Sequence, residues 1–508
     1  MVPAGPTAGW PANWPTDGRA GGVPDPGTRG PDIIQIGNES GFLPSPVVIP
    51  AQAVTFNYNR RDIVVLNVAD HGLWLGPAER ADVIVDFSGF AGKSLILYND
   101  SPSPVPAFDP RIDYYTGCPD QRDSGGSDTV APGYGPNTRT IMLVEVAAVP
   151  AGGTPATAFD LGKLQTAFDS SATSNGAFAA SQHLPIVPSS AYNSALGRTL
   201  TDEYIRIQDS QFRRPFASME NGDLVQPILE SKAIQELFEL DYGRMNATLG
   251  VELPRTNFNI QTTIPLGYID PVTEILTDGT TQFWKITHNG VDTHPVHFHL
   301  FDVQIVNRVG WDGAVRMPEA NEIGWKETVK MHPLEDCIVA FRPLSPRLPF
   351  VLPHSMRELD VTKPNNAMVT FTDVATGNPI SAPNVHQDFG WEYVWHCHIL
   401  GHEENDFMRP MVLNVAVSVP AAASGLIATL MNTNRVDLSW LDNATNETGF
   451  TIQRRAGGTS DAWATLGTAV PNVRSFSDFT VADPAKYDYR VIAYNQAGDG
   501  APSNIASI

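Results

Sequence analysis

Short runs of alternating apolar and polar residues, broken by Gly, Pro, Asn or Asp, fill most of this chain and predict β-strands. The clearest early runs are residues 62–68, 82–87, 94–98 and 140–146. Ala, Ser, Thr, Pro and Gly dominate residues 148–200, which reads as a connecting segment with one short helix around 159–168. Strand signals resume at 204–207 and continue through 282–286 to 411–415. Residues 1–31 are rich in Pro and Gly with almost no apolar periodicity, and read as a loop or disordered segment. Many short strands with turn signals predict an all-β fold of sandwiches rather than an α/β one.

Two dense clusters interrupt this pattern: Thr293-His-Pro-Val-His-Phe-His299 and Trp395-His-Cys-His-Ile-Leu-Gly-His402. They hold six of the twelve histidines and one of the three cysteines. Trp391, Tyr393, Val394 and Trp395 favour a strand, and side chains alternate across a strand. His396 and His398 therefore face one way and Cys397 the other, so one strand serves metal on both faces. The same alternation places His297 and His299 together on a strand running from Val296 to Val306. His294 precedes a proline and can turn toward the thiolate, and His402 lies past the strand end, where the chain can curl back. His294, Cys397 and His402 form a His₂Cys set suited to blue copper. His297, His299, His396 and His398 form an all-imidazole set suited to copper that meets dioxygen. Structural zinc is the competing reading. Such sites usually show paired spacings and close at four ligands, which a lone cysteine between histidines fits poorly.

The motifs His294-Pro-Val-His-Phe-His299 and His396-Cys-His-x₃-His402 resemble the C-terminal copper motifs of multicopper oxidases (laccases, bilirubin oxidases and spore-coat-type bacterial oxidases). The resemblance extends to residues 76–87, to Gly324-Trp-Lys-Glu-Thr328 and to Arg409-Pro-Met411, and covers about residues 30–416. It implies cupredoxin-like Greek-key sandwiches, one partial over 32–147 and one complete over 201–416. It implies His294, Cys397 and His402 as type 1 copper ligands, His297 as a type 2 ligand, and His299, His396 and His398 as type 3 ligands. Glu403 matches an acidic position tied to proton delivery, with a solvated Glu403-Glu404 pair as the plainer alternative. Bacterial relatives carry an axial Met where this chain has Phe407, with Met408 one step later; a lost sulfur donor implies a raised potential.

The family's trinuclear cluster takes eight histidines, four of them from an N-terminal domain as two His-x-His pairs. None of His71, His183, His288, His332, His354 and His386 forms such a pair. Residues 31–44 resemble the middle of the family's second domain. The expectation is thus a complete type 1 site, type 2 and type 3 half-sites, and a missing N-terminal copper domain. The reaction implied is one-electron oxidation of a reducing substrate (a phenol, a bilirubin-like pigment or a metal ion) coupled to reduction of dioxygen to water. The alternative is a non-catalytic copper protein for electron transfer or adhesion, which would have no use for the four-imidazole set.

Beyond Pro420, residues 435–440, 449–455 and 487–495 alternate again, and with Pro502-Ser-Asn they resemble a fibronectin type III domain over 420–508. Trp440 is its expected core residue, Tyr487 its candidate tyrosine corner, and its expected role that of a spacer or adhesion module.

Composition narrows the partners. Lys plus Arg number 33 against 55 Asp plus Glu, a net charge of −22, which argues against nucleic acid and anionic membranes. No apolar run is long enough to span a membrane and no signal peptide is visible, while the resemblance implies a secreted, periplasmic or cell-surface protein. With Cys397 assigned to metal, Cys118 lies in a polar loop and Cys337 in an apolar strand, where it reads as a small buried hydrophobe.

Overall fold

The computed structural model describes residues 24–57, 68–101, most of 105–187, 216–217, 224–225, 229–239, 244–253 and, with few gaps, 263–508. Residues 1–23, 62–67 and 204–207, expected above to be loop and strands, lie outside the described residues. The described chain is all-β, with a few short helices.

Two sheets carry the metal motifs. One has seven strands in the order Thr263–Pro265, Arg244–Glu252, Leu229–Glu239, Gln282–Asn289, Glu335–Phe341, Val303–Gly310, Val315–Arg316. The other has five: Glu274–Thr277, Met408–Asn414, Trp391–Cys397, His294–Phe298 and Thr328–Met331. Between them lies an apolar core that includes Trp284, Phe298, Phe341, Trp395 and Cys397. Trp284 meets Trp395 edge-on at 5.2 Å, and Phe298 stacks on Trp395 at 6.0 Å. Burying one such phenylalanine contributes about 1.5–3 kcal/mol. Glu335–Phe341 and Val303–Gly310 are buried at every position, because Ile186 and Val187 pack with Phe283, Val306 and Ile338 on the outer face of their sheet. Those two strands therefore lose the alternation that marks a half-exposed strand.

A single strand from 296 to 306 is not what forms. His294–Phe298 ends before His299, and Val303–Gly310 begins in the other sheet. Leu300 takes φ of 79° at this crossing, a left-handed conformation that a leucine adopts only where the surrounding structure imposes it.

Ahead of the sandwich, Gly41–Ile49, Ile33–Asn38 and Ala81–Val85 form a three-stranded sheet, and Ser94–Tyr98 pairs with Thr140–Glu145. The segment 148–200 contains two helices, Leu161–Phe168 and Gly176–Ser181. Asp160 caps the first, accepting from the backbone N–H of Lys163 at 3.1 Å. Phe168 closes it against Phe42 edge-on at 5.6 Å. Cys118, expected in a polar loop, is buried, as is Cys337.

Buried charges join this region to the sandwich. Lys326 Nζ lies 2.9 Å from both Glu39 Oε1 and Glu79 Oε1, and Lys330 Nζ lies 3.2 Å from Glu79 Oε2 and 3.4 Å from Glu322 Oε1. Arg308 grips Glu322 through both terminal nitrogens. Burial opposes ionisation of Glu79, but Lys330 and Lys326 outweigh it and hold the carboxyl below its usual range. Gly76 packs so tightly that a Cβ there would stand 2.9 Å from the Pro295 ring, beside His294.

Residues 424–507 form two further sheets around a separate core containing Trp440, Phe450, Ile452 and Tyr489. Tyr489, rather than the expected Tyr487, is the fully buried tyrosine, and its hydroxyl donates to Asp478 Oδ2 at 3.0 Å. Tyr487 sits under the Arg454 guanidinium instead. The two residues share a face of their strand, and depth in the core separates them: Tyr489 reaches the interior and Tyr487 stays partly exposed.

Removing one partner from a buried ion pair leaves an uncompensated charge. Lys326→Met should therefore destabilise the chain by about 3–5 kcal/mol in urea unfolding. Loss of less than about 1 kcal/mol would mean that solvent screens this network as it does surface pairs.

Candidate metal centre

Antiparallel pairing sets Val296 opposite Cys397, and His297 opposite His396. Because neighbours in a strand face opposite ways, Cys397 and His396 serve different sides of the five-stranded sheet. On the core side, one ligand atom each from His294, Cys397 and His402 lie within 4.8 Å of one another. On the other side the same holds for His297, His299 and His396, and for His396, His398 and Glu403.

The core-side set is closed and dry. His294 and Cys397 are fully buried, and His402 is 9% exposed, which makes it the member nearest solvent. Cys397 Sγ stands 3.6 Å from His294 Nδ1, which is itself 3.3 Å from His402 Nδ1. The short helix Leu400–Glu403 returns His402 to the site, its backbone N–H donating to Ile399 O at 2.9 Å. The Ile399 N–H points at Cys397 Sγ from 3.3 Å. Burial pushes the thiol well up and His294 well down, so both groups are neutral without a cation. Two imidazole nitrogens and one thiol sulfur, turned toward each other in a buried site, suit a soft, thiophilic metal ion such as copper.

Phe407 forms one wall of this set. Its ring lies 5.0 Å from that of His294 and 6.2 Å from that of His402, and it is fully buried. Its backbone is fixed from both sides: Phe407 N–H donates to His402 O at 3.1 Å, and Cys397 N–H donates to Phe407 O at 3.2 Å. Met408 starts the next strand opposite His396 and is only half-buried.

The four-imidazole set is more open. His299 Nε2 is 3.1 Å from His396 Nε2, and the rings of His297 and His398 lie 5.1 Å apart. His297 Nδ1 is turned to Glu327 O at 3.0 Å, which leaves its Nε2 free of that contact. Burial, then the neighbouring imidazoles of His299, His398 and His396, lower His297 to about 4. Burial also lowers His299 and His396. Glu403 stands beside this set, 3.5 Å from His396 Nδ1 and 3.6 Å from His398 Nδ1.

One residue at the site has no signature in the sequence. Glu236, on Leu229–Glu239, accepts from His294 Nε2 at 2.7 Å across 58 positions of chain. Its strand carries other acidic residues at Glu230 and Glu239, so local pattern does not distinguish it.

The described residues form an all-β protein that gathers two groups of His and Cys side chains around one pair of strands. Residues 244–352 match the family model described as multicopper oxidase. The laccase of Bacillus subtilis (strain 168) is 30% identical over 155 residues, covering 28% of this chain and 22% of the laccase. The laccase of Haloferax volcanii is 26% identical over 140 residues, covering 28% and 16%. The chain thus spans less than a quarter of the length of either relative. Among solved structures, the McoA multicopper oxidase of Aquifex aeolicus is similar at 16% identity and a TM-score of 0.33, covering 76% of this chain and 51% of that one. A Fn3-like protein from Clostridium thermocellum is similar at 25% identity and a TM-score of 0.16, covering 18% of this chain and 92% of that one.

Proposed function

We propose that this chain is the copper-bearing C-terminal portion of a multicopper oxidase. The observation that supports this best is the shared backbone of His396, Cys397 and His398, which joins a buried His₂Cys set to a four-imidazole set. An electron-transfer protein alone would need only the first. On this reading His294, Cys397 and His402 hold the type 1 copper. His297 is a type 2 ligand, and His299, His396 and His398 are type 3 ligands. Bound copper supplies one-electron chemistry at the first set and dioxygen reduction at the second.

The protein's own residues do the rest. His402, the least buried of the three, is the side from which a reducing substrate approaches. Cys397 and its two neighbours give the shortest covalent route between the sets. Glu403, beside both His396 and His398, is the side chain placed to relay protons to the oxygen side. Phe407 excludes water and offers no donor where Met-bearing relatives place sulfur. The 508 residues contain two His-x-His pairs, and the family's cluster takes four; the remaining pairs come from outside this sequence. Residues 32–147 are read as a partial cupredoxin-like domain, 148–200 as its connection to the copper domain at 201–416, and 420–508 as a fibronectin type III-like spacer. No helix among the described residues is long and apolar enough to cross a membrane. The activity is a secreted, periplasmic or cell-surface one by this reading, on a phenol, a bilirubin-like pigment or a metal ion.

Three measurements test this. Copper-loaded protein should show an intense thiolate-to-copper visible band, and Cys397→Ser should abolish it; an unchanged band and metal content in the variant would overturn the type 1 assignment. Oxygen-electrode assays of the purified chain with a phenolic donor should show no dioxygen consumption above free copper, whereas steady turnover would refute the half-cluster. Phe407→Met should lower the reduction potential of the visible centre, as read by redox titration, because a sulfur donor stabilises Cu(II). An unchanged or higher potential would exclude Phe407 from the axial position.

A further inference from the structure

Behind His294, on the side away from Cys397, the fold builds a complete cradle for one carboxylate. Glu236 Oε1 accepts from His294 Nε2 at 2.7 Å and from the Asp292 N–H at 2.9 Å, while Oε2 accepts from the Val291 N–H at 2.8 Å. Its side chain is 2% exposed. The room is made by a glycine: a Cβ at Gly290 would lie 2.3 Å from Glu236 Cδ. The turn between Gln282–Asn289 and His294–Phe298 thus wraps a carboxylate brought from a different strand, Leu229–Glu239.

We propose that Glu236 is a positioning residue for the type 1 centre, locking His294 with Nδ1 toward Cys397 and placing a fixed negative charge behind the metal. This rests on the type 1 reading of His294, Cys397 and His402. A carboxylate only accepts, so the proton it shares with His294 resides on Nε2 and leaves Nδ1 as the lone-pair nitrogen. That nitrogen is the one facing Cys397 Sγ at 3.6 Å and His402 Nδ1 at 3.3 Å. Such a partner fixes ring orientation and raises the basicity of the ligand nitrogen. A buried negative charge also favours Cu(II) over Cu(I), because it is attracted more strongly to the higher charge.

The cluster Glu236, His288 and His294 has ligand atoms close enough to hold an ion of its own. Its bonding argues otherwise. His288 Nε2 is committed to Asp292 O at 2.6 Å, and both carboxylate oxygens already accept backbone N–H groups. Glu236 serves His294 rather than a second metal.

The test uses the full chain loaded with copper. Glu236→Gln keeps the shape and one acceptor but removes the charge. It should raise the reduction potential of the visible centre and weaken Cu(II) binding about 10- to 100-fold in chelator competition. Glu236→Ala should weaken it at least as much and broaden the Cu(II) EPR signal as the imidazole loses its orientation. Unchanged potential and affinity in a folded Glu236→Gln protein would overturn the proposal. Should the variants fail to fold, the unaltered Cu(I) protein decides. Its His294 Nε2 proton should give a downfield imidazole resonance protected from solvent exchange, and a rapidly exchanging proton there would overturn the proposal. Absence of a thiolate-to-copper band in the unaltered protein would instead refute the type 1 reading itself, which separates the two failures.

Discussion

The pairing of two strands fixes the chemistry of this chain. Trp391–Cys397 runs antiparallel to His294–Phe298, with Val296 opposite Cys397 and His297 opposite His396. A slip of one residue would carry Cys397 to the outer face and His396 into the core, destroying both sets at once. The register is protected on the core side by large rings that fit only one way. Trp395 is fully buried between Trp284 and Phe298, and Trp391 enters the same core two turns of the pleat earlier. The candidate ligands at the ends of these strands are held in place by the packing of the chain itself.

What the pairing cannot do alone is bring in residues beyond the strand ends. His402 returns through a single short helical turn, and the chain then reverses at Asp406, a non-glycine residue with φ of 72°. Asp406 is tied down by the Tyr268 N–H at 3.0 Å, which stabilises the reversal and delivers Phe407 against the His294 ring. On the opposite flank the Gly76 turn packs on Pro295, anchored by Glu79 to Lys326 and Lys330. Lys330 lies on Thr328–Met331, the strand that borders His294–Phe298. The buried ions therefore act on the site through its neighbour strand. In a chain of net charge −22, interior lysines and arginines offset part of the charge of the buried acids.

These relations divide by range into what sequence reasoning reaches and what it does not. Strand alternation is local, so the opposite facing of Cys397 and His396 follows from their adjacency, and the all-β class follows from many short alternating runs. The break at Leu300 is not local. The motif from His297 to Val306 reads as one strand, yet the chain must change sheets after Phe298, and only the packing of both sheets reveals that. Val303–Gly310 shows the same limit, because a strand covered on both faces carries no alternation to read. In the last 85 or so residues a similar shift of two positions separates Tyr487 from Tyr489, since both occupy one face and depth in the core decides between them. Glu236 is the extreme case. It meets His294 across 58 positions, and nothing in Glu-Leu-Phe-Glu239 distinguishes it from a solvated acid.

Glu236 and Phe407 also act on the same imidazole with opposite sign. Phe407 lines the core-side set with a ring that has no donor, so a bound ion gains nothing from that side in its more highly charged state. Glu236 works from behind His294 through a 2.7 Å hydrogen bond, and its charge favours that same state. Burial holds the Cys397 thiol in its protonated form, so an ion taken up there would have to displace that proton. The redox poise of such a site is then a difference between two buried contributions, one apolar and one ionic. Each is set by a residue on a different element: Phe407 at the turn before Met408–Asn414, and Glu236 on the strand Leu229–Glu239. Neither belongs to the strand pair that sets the register, so changes at either would tune the site while that pairing stays in place.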